Sequence, residues 1–174
     1  VLSANGSVGQ TSGTGNGLLE TTLDNVEVSA TTGGVFLTDS TDLTVGGVSA
    51  TTGISAAGDV DLDVNGSLTV DEDVTSGTSL TIDTTNDVTA NAAVMATSGM
   101  AITAGTNNTG SITVSGTGSL TTTGAGADIA LTTGTTSGNV TLSGDVTSAD
   151  DLTISTFAGG TVNQTAGTIT ADPV

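Results

Sequence analysis

The chain of 174 residues carries 18 acidic side chains and no Lys, Arg or His, a formal charge of −18, with 34% hydrophobic residues but only 1% aromatic. Side-chain salt bridges are therefore excluded, nucleic-acid binding loses the basic residues that neutralise phosphates, and an anionic membrane surface repels the chain. Val, Ile, Leu and Ala almost without aromatic rings fill a thin core rather than a wide one, so one elongated domain is expected. Cysteine is absent, which rules out a disulfide framework. No apolar run approaches the roughly 20 residues of a membrane-spanning helix, so no membrane insertion is expected in this segment. No basic start followed by an apolar stretch marks a signal peptide. Because the chain opens on Val1 in mid-phrase, it reads as a segment of a longer protein or a processed product.

Residues 1–22 are mostly Gly, Ser, Thr and Asn with scattered aliphatics, and an irregular or weakly formed first coil is expected there. The pattern then sharpens through Leu23, Val26, Val28, Val35, Leu37, Leu43, Val45 and Ile54, an alternation that predicts strands with one buried face. The hexapeptide Val-Ser-Ala-Thr-Thr-Gly occurs at 28–33 and again at 48–53, an offset of 20 residues that is read as the repeat extending upstream. From Asp59 the phrases become regular, with Asn65-Gly66, Ser76-Gly77 and Gly159-Gly160 between them as corner residues.

Three series of first buried aliphatics run through this region. The first is Val60, Leu80, Ile102, Ile129 and Leu152, with steps of 20, 22, 27 and 23 residues. The second is Leu68, Val88, Ile112, Val140 and Val162, and the third is Val74, Val94, Leu120, Val146 and Ile169. Helix is disfavoured by the two-residue spacing, the β-branched side chains and the recurrent Gly. A β-sandwich could use the same short strands, but only a parallel β-helix requires buried positions to repeat once per turn on three faces together. The predicted fold is all-β: a β-solenoid over residues 23–171, about six coils with three short strands per coil of about 20–28 residues, and residues 172–174 as the end of the segment.

The phrases Gly66-Ser67-Leu68-Thr69-Val70, Ser79-Leu80-Thr81-Ile82, Gly99-Met100-Ala101-Ile102-Thr103-Ala104 and Gly138-Asn139-Val140-Thr141-Leu142 resemble the repeats of filamentous-haemagglutinin-type adhesins and autotransporter passenger domains. The likeness covers about residues 20–171 and is one of repeat style. It implies a right-handed parallel β-helix, export to the bacterial surface, and a role in attachment, biofilm or surface architecture. The missing Lys and Arg depart from most such repeats.

Without His, Cys or Lys there is no nucleophile–imidazole pair, Schiff base, or imidazole or thiolate metal ligand. Carboxylate-only glycoside hydrolysis survives on paper, but basic residues for acidic sugars and aromatic platforms for neutral ones are lacking, so a non-enzymatic protein is expected. The acids suggest cations instead. Asp59, Asp61 and Asp63 alternate with Val60, Leu62 and Val64, and an offset of 20 places Asp83 over Asp63. Calcium held by Asp63 and Asp83, or at the corner by Asp71 and Asp73, would relieve the repulsion; no cofactor is required by the sequence. The competing reading, that exposed Asp keeps the sheet soluble and blocks edge pairing, is preferred because the calcium-binding nonapeptide is absent.

Thr69, Thr89, Thr113 and Thr141 form one outward column and Thr75, Thr121, Thr147 and Thr170 another. An ice-binding array would pair Thr on each coil, whereas Ser67, Asp87, Ser111 and Asn139 stand beside the first column. Sequons begin at Asn5, Asn65, Asn107, Asn139 and Asn163, near chance for so much Ser and Thr. The sequence thus predicts a structural or adhesive extracellular segment of a bacterial surface fibre. Host surfaces, neighbouring cells or glycans are its expected partners through flanking domains. The alternative is a subunit that self-associates through its coil ends, which Pro173, the single proline, does not obviously cap.

Overall fold

The computed structural model describes residues 1–10, 17–49, 53–107, 109–157 and 159–172. Among the described residues every regular element is a short β-strand and none is a helix. Each strand pairs in parallel with the strands three places before and after it, giving one sheet of eight strands and two of seven. The chain therefore winds as a β-solenoid of about seven turns with three strands to the turn. The all-parallel pairing sets aside the β-sandwich.

The first face runs from the strand Leu19–Thr21 to Leu152–Ser155, the second from Asn25–Val26 to Val162–Gln164, and the third from Leu2–Ala4 to Ile169–Ala171. Second-face pairing follows Leu68, Val88, Ile112, Val140 and Val162 as the sequence predicts. The third face likewise follows Val74, Val94, Leu120, Val146 and Ile169. On the first face one member is corrected, and with it the steps on either side, since Met100 rather than Ile102 pairs with both Leu80 and Ile129. Ile102 stacks on Ile82 instead. The strand Gly99–Ala104 buries Met100, Ile102 and Ala104 together, so its first inward residue is the Met rather than the branched aliphatic.

One upstream expectation also changes. Val28 pairs with Ile54, not with Val48 of the second hexapeptide. Gly46 and Gly47, at φ 117° and 74°, turn the chain outward after the strand Leu43–Val45 and leave Val48 44% exposed on an enlarged corner. The identical letters are therefore not structural counterparts; residues 50–52 of the second copy lie outside the described residues. Among the described residues of 1–22, Leu2–Ala4 pairs with Val28–Ala30, Leu19–Thr21 pairs with Leu37–Asp39, and Val8 bridges Val35; residues 11–16 lie outside the described residues.

The core is a set of ladders, one side chain per coil. Leu37, Leu62, Ile82, Ile102 and Leu131 stack in one of them and are almost wholly buried. Burial of each such side chain contributes roughly 1.5–3 kcal/mol, and strand spacing makes seven coils about 34 Å long. The ladders open at the last coil, where Val162 is 51% and Ile169 37% exposed. Pro173 and Val174 lie outside the described residues.

Candidate functional site

Chemistry-bearing side chains gather in columns along the faces and corners. Asp63 and Asp83 are direct neighbours in the first-face ladder, and Asp61 stands beside them next to Thr81. With Leu18 and Thr106 these three acids line a hollow of about 420 Å³. Partial burial, and then the negative charges of Asp83, Asp63 and Asp59, push the Asp61 carboxyl above the usual carboxylate range. The expected Asp63–Asp83 pair is thus brought together.

The Asp71 and Asp73 pair is not arranged as a cage. Asp71 accepts from Asn91 Nδ2 at 2.8 Å and Asp73 from the Ala93 amide at 3.1 Å, both on the following coil. Glu72 between them reaches the preceding coil, where Gly47 donates its amide at 3.2 Å, and its second oxygen is buried with no partner among the described residues. A third acidic group escaped the sequence reading: Asp128, Asp150 and Asp151 bring carboxylate oxygens within 4.8 Å of one another. It joins residues one coil apart, and only the irregular 23-residue step from Ile129 to Leu152 signals it.

The acids share a wider role. Asp42, Asp59, Asp73, Asp87, Asp128 and Asp145 each stand immediately before the first buried aliphatic of a strand. Each accepts the backbone N–H of its counterpart on the next coil: Ser67 (2.7 Å), Ser79 (3.1 Å), Ala93 (3.1 Å), Ser111 (2.8 Å), Asp151 (3.1 Å) and Thr168 (2.8 Å). Two such clamps lie on each face. Asn139 does the same for Thr161 at 2.9 Å. An Asp directly before a Val, Ile or Leu was the available signal.

Two acids are interior. Asp39, 1% exposed, is the third inward residue of the strand Val35–Asp39 and accepts from Thr21 Oγ1, the Leu23 amide, and both the amide and hydroxyl of Thr41. Burial alone would raise its carboxyl, but these bonds outweigh burial and hold it below the usual range. Glu27, also 1% exposed, accepts the Val48 and Ser49 amides of the enlarged corner.

The second-face Thr column is continuous and gains Thr44 at its start. On the third face Met95 interrupts the column between Thr75 and Thr121. No helix among the described residues is long and apolar enough to cross a membrane. Comparison with known protein families, with characterised proteins and with solved structures finds no match to this chain.

Proposed function

We propose that the chain is a non-enzymatic, extracellular segment of a bacterial surface fibre that spaces and adheres. The observation that carries this reading is axial continuity. Three parallel ladders join every coil to the next, and Asp clamps on all three faces fasten strand starts to the coil above. A thin body with short, tightly bonded corners suits a rod. The absence of Lys and Arg removes every site for trypsin-like proteases, an advantage outside the cell. Antibody raised against the chain should label intact cells of the source organism as strongly as lysed ones; labelling that requires lysis would overturn the reading.

A second reading, end-to-end assembly of copies, is favoured by the exposed Val162 and Ile169 beside the unpaired strand edges of the last coil. Negative-stain microscopy across a concentration series, with calcium and with chelator, tests this: lengthening filaments support assembly, and isolated short rods at every concentration exclude it.

A further inference from the structure

We propose that a groove along the corner between the first and second faces binds an extended, neutral polysaccharide chain lying parallel to the solenoid axis. The proposal rests on the adhesive reading above and places the contact on this segment rather than on flanking domains. The groove holds about 540 Å³ and is lined from successive coils. Its floor is the row of residues that lead the second-face strands, Ser67, Asp87, Ser111 and Asn139. One lip carries Thr109 and Ser137, where the corners lengthen from three residues at 65–67 and 85–87 to seven at 105–111 and six at 134–139.

Glycine lets the corners stack closely beneath the groove: a Cβ at Gly138 would lie 2.0 Å from the Gly110 carbonyl oxygen and one at Gly160 2.3 Å from that of Gly138, whereas a Cβ at Gly159, in the groove lining, would meet nothing within 4 Å. The lining chemistry selects the partner. A chain of charge −18 repels polyanions. A polycation would favour the hollow with Asp61, Asp63 and Asp83, whereas this groove holds a single carboxylate, Asp87, among hydroxyls, amides and glycines. The clamps leave hydrogen-bonding capacity over. Asp87 Oδ1 is taken by Ser111 and Asn139 Oδ1 by Thr161, while Asp87 Oδ2 and Asn139 Nδ2 have no protein partner among the described residues.

An acceptor and a donor two coils apart, with hydroxyls between, match a row of sugar hydroxyls. Coils recur every ~4.8 Å along the axis, comparable to the length one sugar adds to an extended glycan, so each coil meets about one sugar unit. With no aromatic platform, binding comes from repeated hydrogen bonds and strengthens with chain length.

The test is amide-resolved NMR of the ¹⁵N-labelled 174-residue chain, titrated with the neutral hexasaccharides of cellulose, xylan, mannan and starch and with their monosaccharides. Shifts should be confined to residues 67, 86–87, 109–111 and 137–139, with monosaccharides at least about tenfold weaker. Ser137→Leu, which fills the lip with an aliphatic side chain that neither hydrogen-bonds nor stacks on a sugar, should weaken hexasaccharide binding at least about tenfold while the third-face spectrum and the melting temperature are kept. Thr109→Leu supplies the same block should the first variant unfold. The proposal is overturned by the absence of shifts with all four hexasaccharides, by shifts spread over the other faces, by undiminished binding to the folded lip variants, or by stronger binding of a cationic glucosamine hexamer at Asp61, Asp63 and Asp83. None of these outcomes alters the cell-labelling result, so the two readings fail separately.

Discussion

Replacing Asp39 with Ala removes a carboxylate that accepts from Thr21 Oγ1 at 2.6 Å, the Leu23 amide at 2.8 Å, and the Thr41 amide and hydroxyl at 2.9 Å each. The two hydroxyls can turn to other acceptors, but the two amides belong to corners of successive coils and lose this acceptor. Leu23 is half-buried and Thr41 exposed, so water takes over the Thr41 amide and the unmet donor at Leu23 dominates; a loss of about 1–3 kcal/mol is expected, out of a total stability of roughly 5–15 kcal/mol. Asp39→Asn keeps the shape but turns an NH₂ group toward donors, and about half that loss is expected.

The pH dependence has a definite sign. Since the folded-state carboxyl titrates below the unfolded value of about 3.9, its stabilisation is fully present above that value and disappears as pH falls through the folded one. Urea unfolding at pH 7 measures the first effect, and a series from pH 5 downward the second. The wild-type advantage over Asp39→Asn should shrink as the solution becomes more acidic than the unfolded value. An Asp39→Ala variant as stable as wild type, or an advantage that ignores acid, would refute the assignment.

Asp61 has the opposite sign. Its raised carboxyl makes ionisation costly in the folded state, so the cost is present above the folded value and relieved as pH falls toward the unfolded one. Asp61→Asn should raise the melting temperature at pH 7, within about 1 kcal/mol after solvent screening, and the gain should fade in acid. Leu62→Ala, between Leu37 and Ile82, should cost about 2–5 kcal/mol in denaturant unfolding. Ile154→Ala, half-buried on the last coil, should cost less than about 2 kcal/mol; equal losses would contradict an open end. Sodium chloride should raise the melting temperature of this uniformly acidic chain, and calcium at matched ionic strength should add nothing further. A calcium-specific, chelator-reversed rise would instead establish a centre at Asp63–Asp83 or at Asp128–Asp150–Asp151.

What was legible depended on how much freedom each strand leaves. Most second-face strands are three residues long with two inward positions, so Leu68, Val88, Ile112 and Val140 admit one register. First-face strands run to six residues with three inward positions, and there Ile102 could be taken for the position of Met100. The hexapeptide misled because Ser, Thr, Ala and Gly recur by composition, whereas pairing follows burial, which joins Val28 to Ile54. Asp39 is third in an alternation begun by Val35 and Leu37, so its inward position was readable. Its donors Thr21 and Leu23 come from the preceding coil and were not. The groove shows in sequence only as uneven steps between coils; that the longer corners form a lip beside Ser111 and Asn139 emerges from the winding.

The leading Asp residues bear on how a rod with no cationic side chain can be rigid. Asp42, Asp59, Asp73, Asp87, Asp128 and Asp145 each hold the next coil's amide at an exposed position, where such a bond contributes about 0.5–1.5 kcal/mol, comparable to the roughly 0–1 kcal/mol of an exposed salt bridge. The chain therefore forgoes little by having no Lys or Arg partners. Every one of these bonds runs from a carboxylate to the coil that follows it, so the device strengthens the axis without linking one rod to another. The exposed carboxylates outside the clamps, those of Asp63 and Asp151 among them, make side-to-side approach of rods repulsive. Separate solenoids, rather than laterally packed ones, are the arrangement this charge distribution favours until cations screen it.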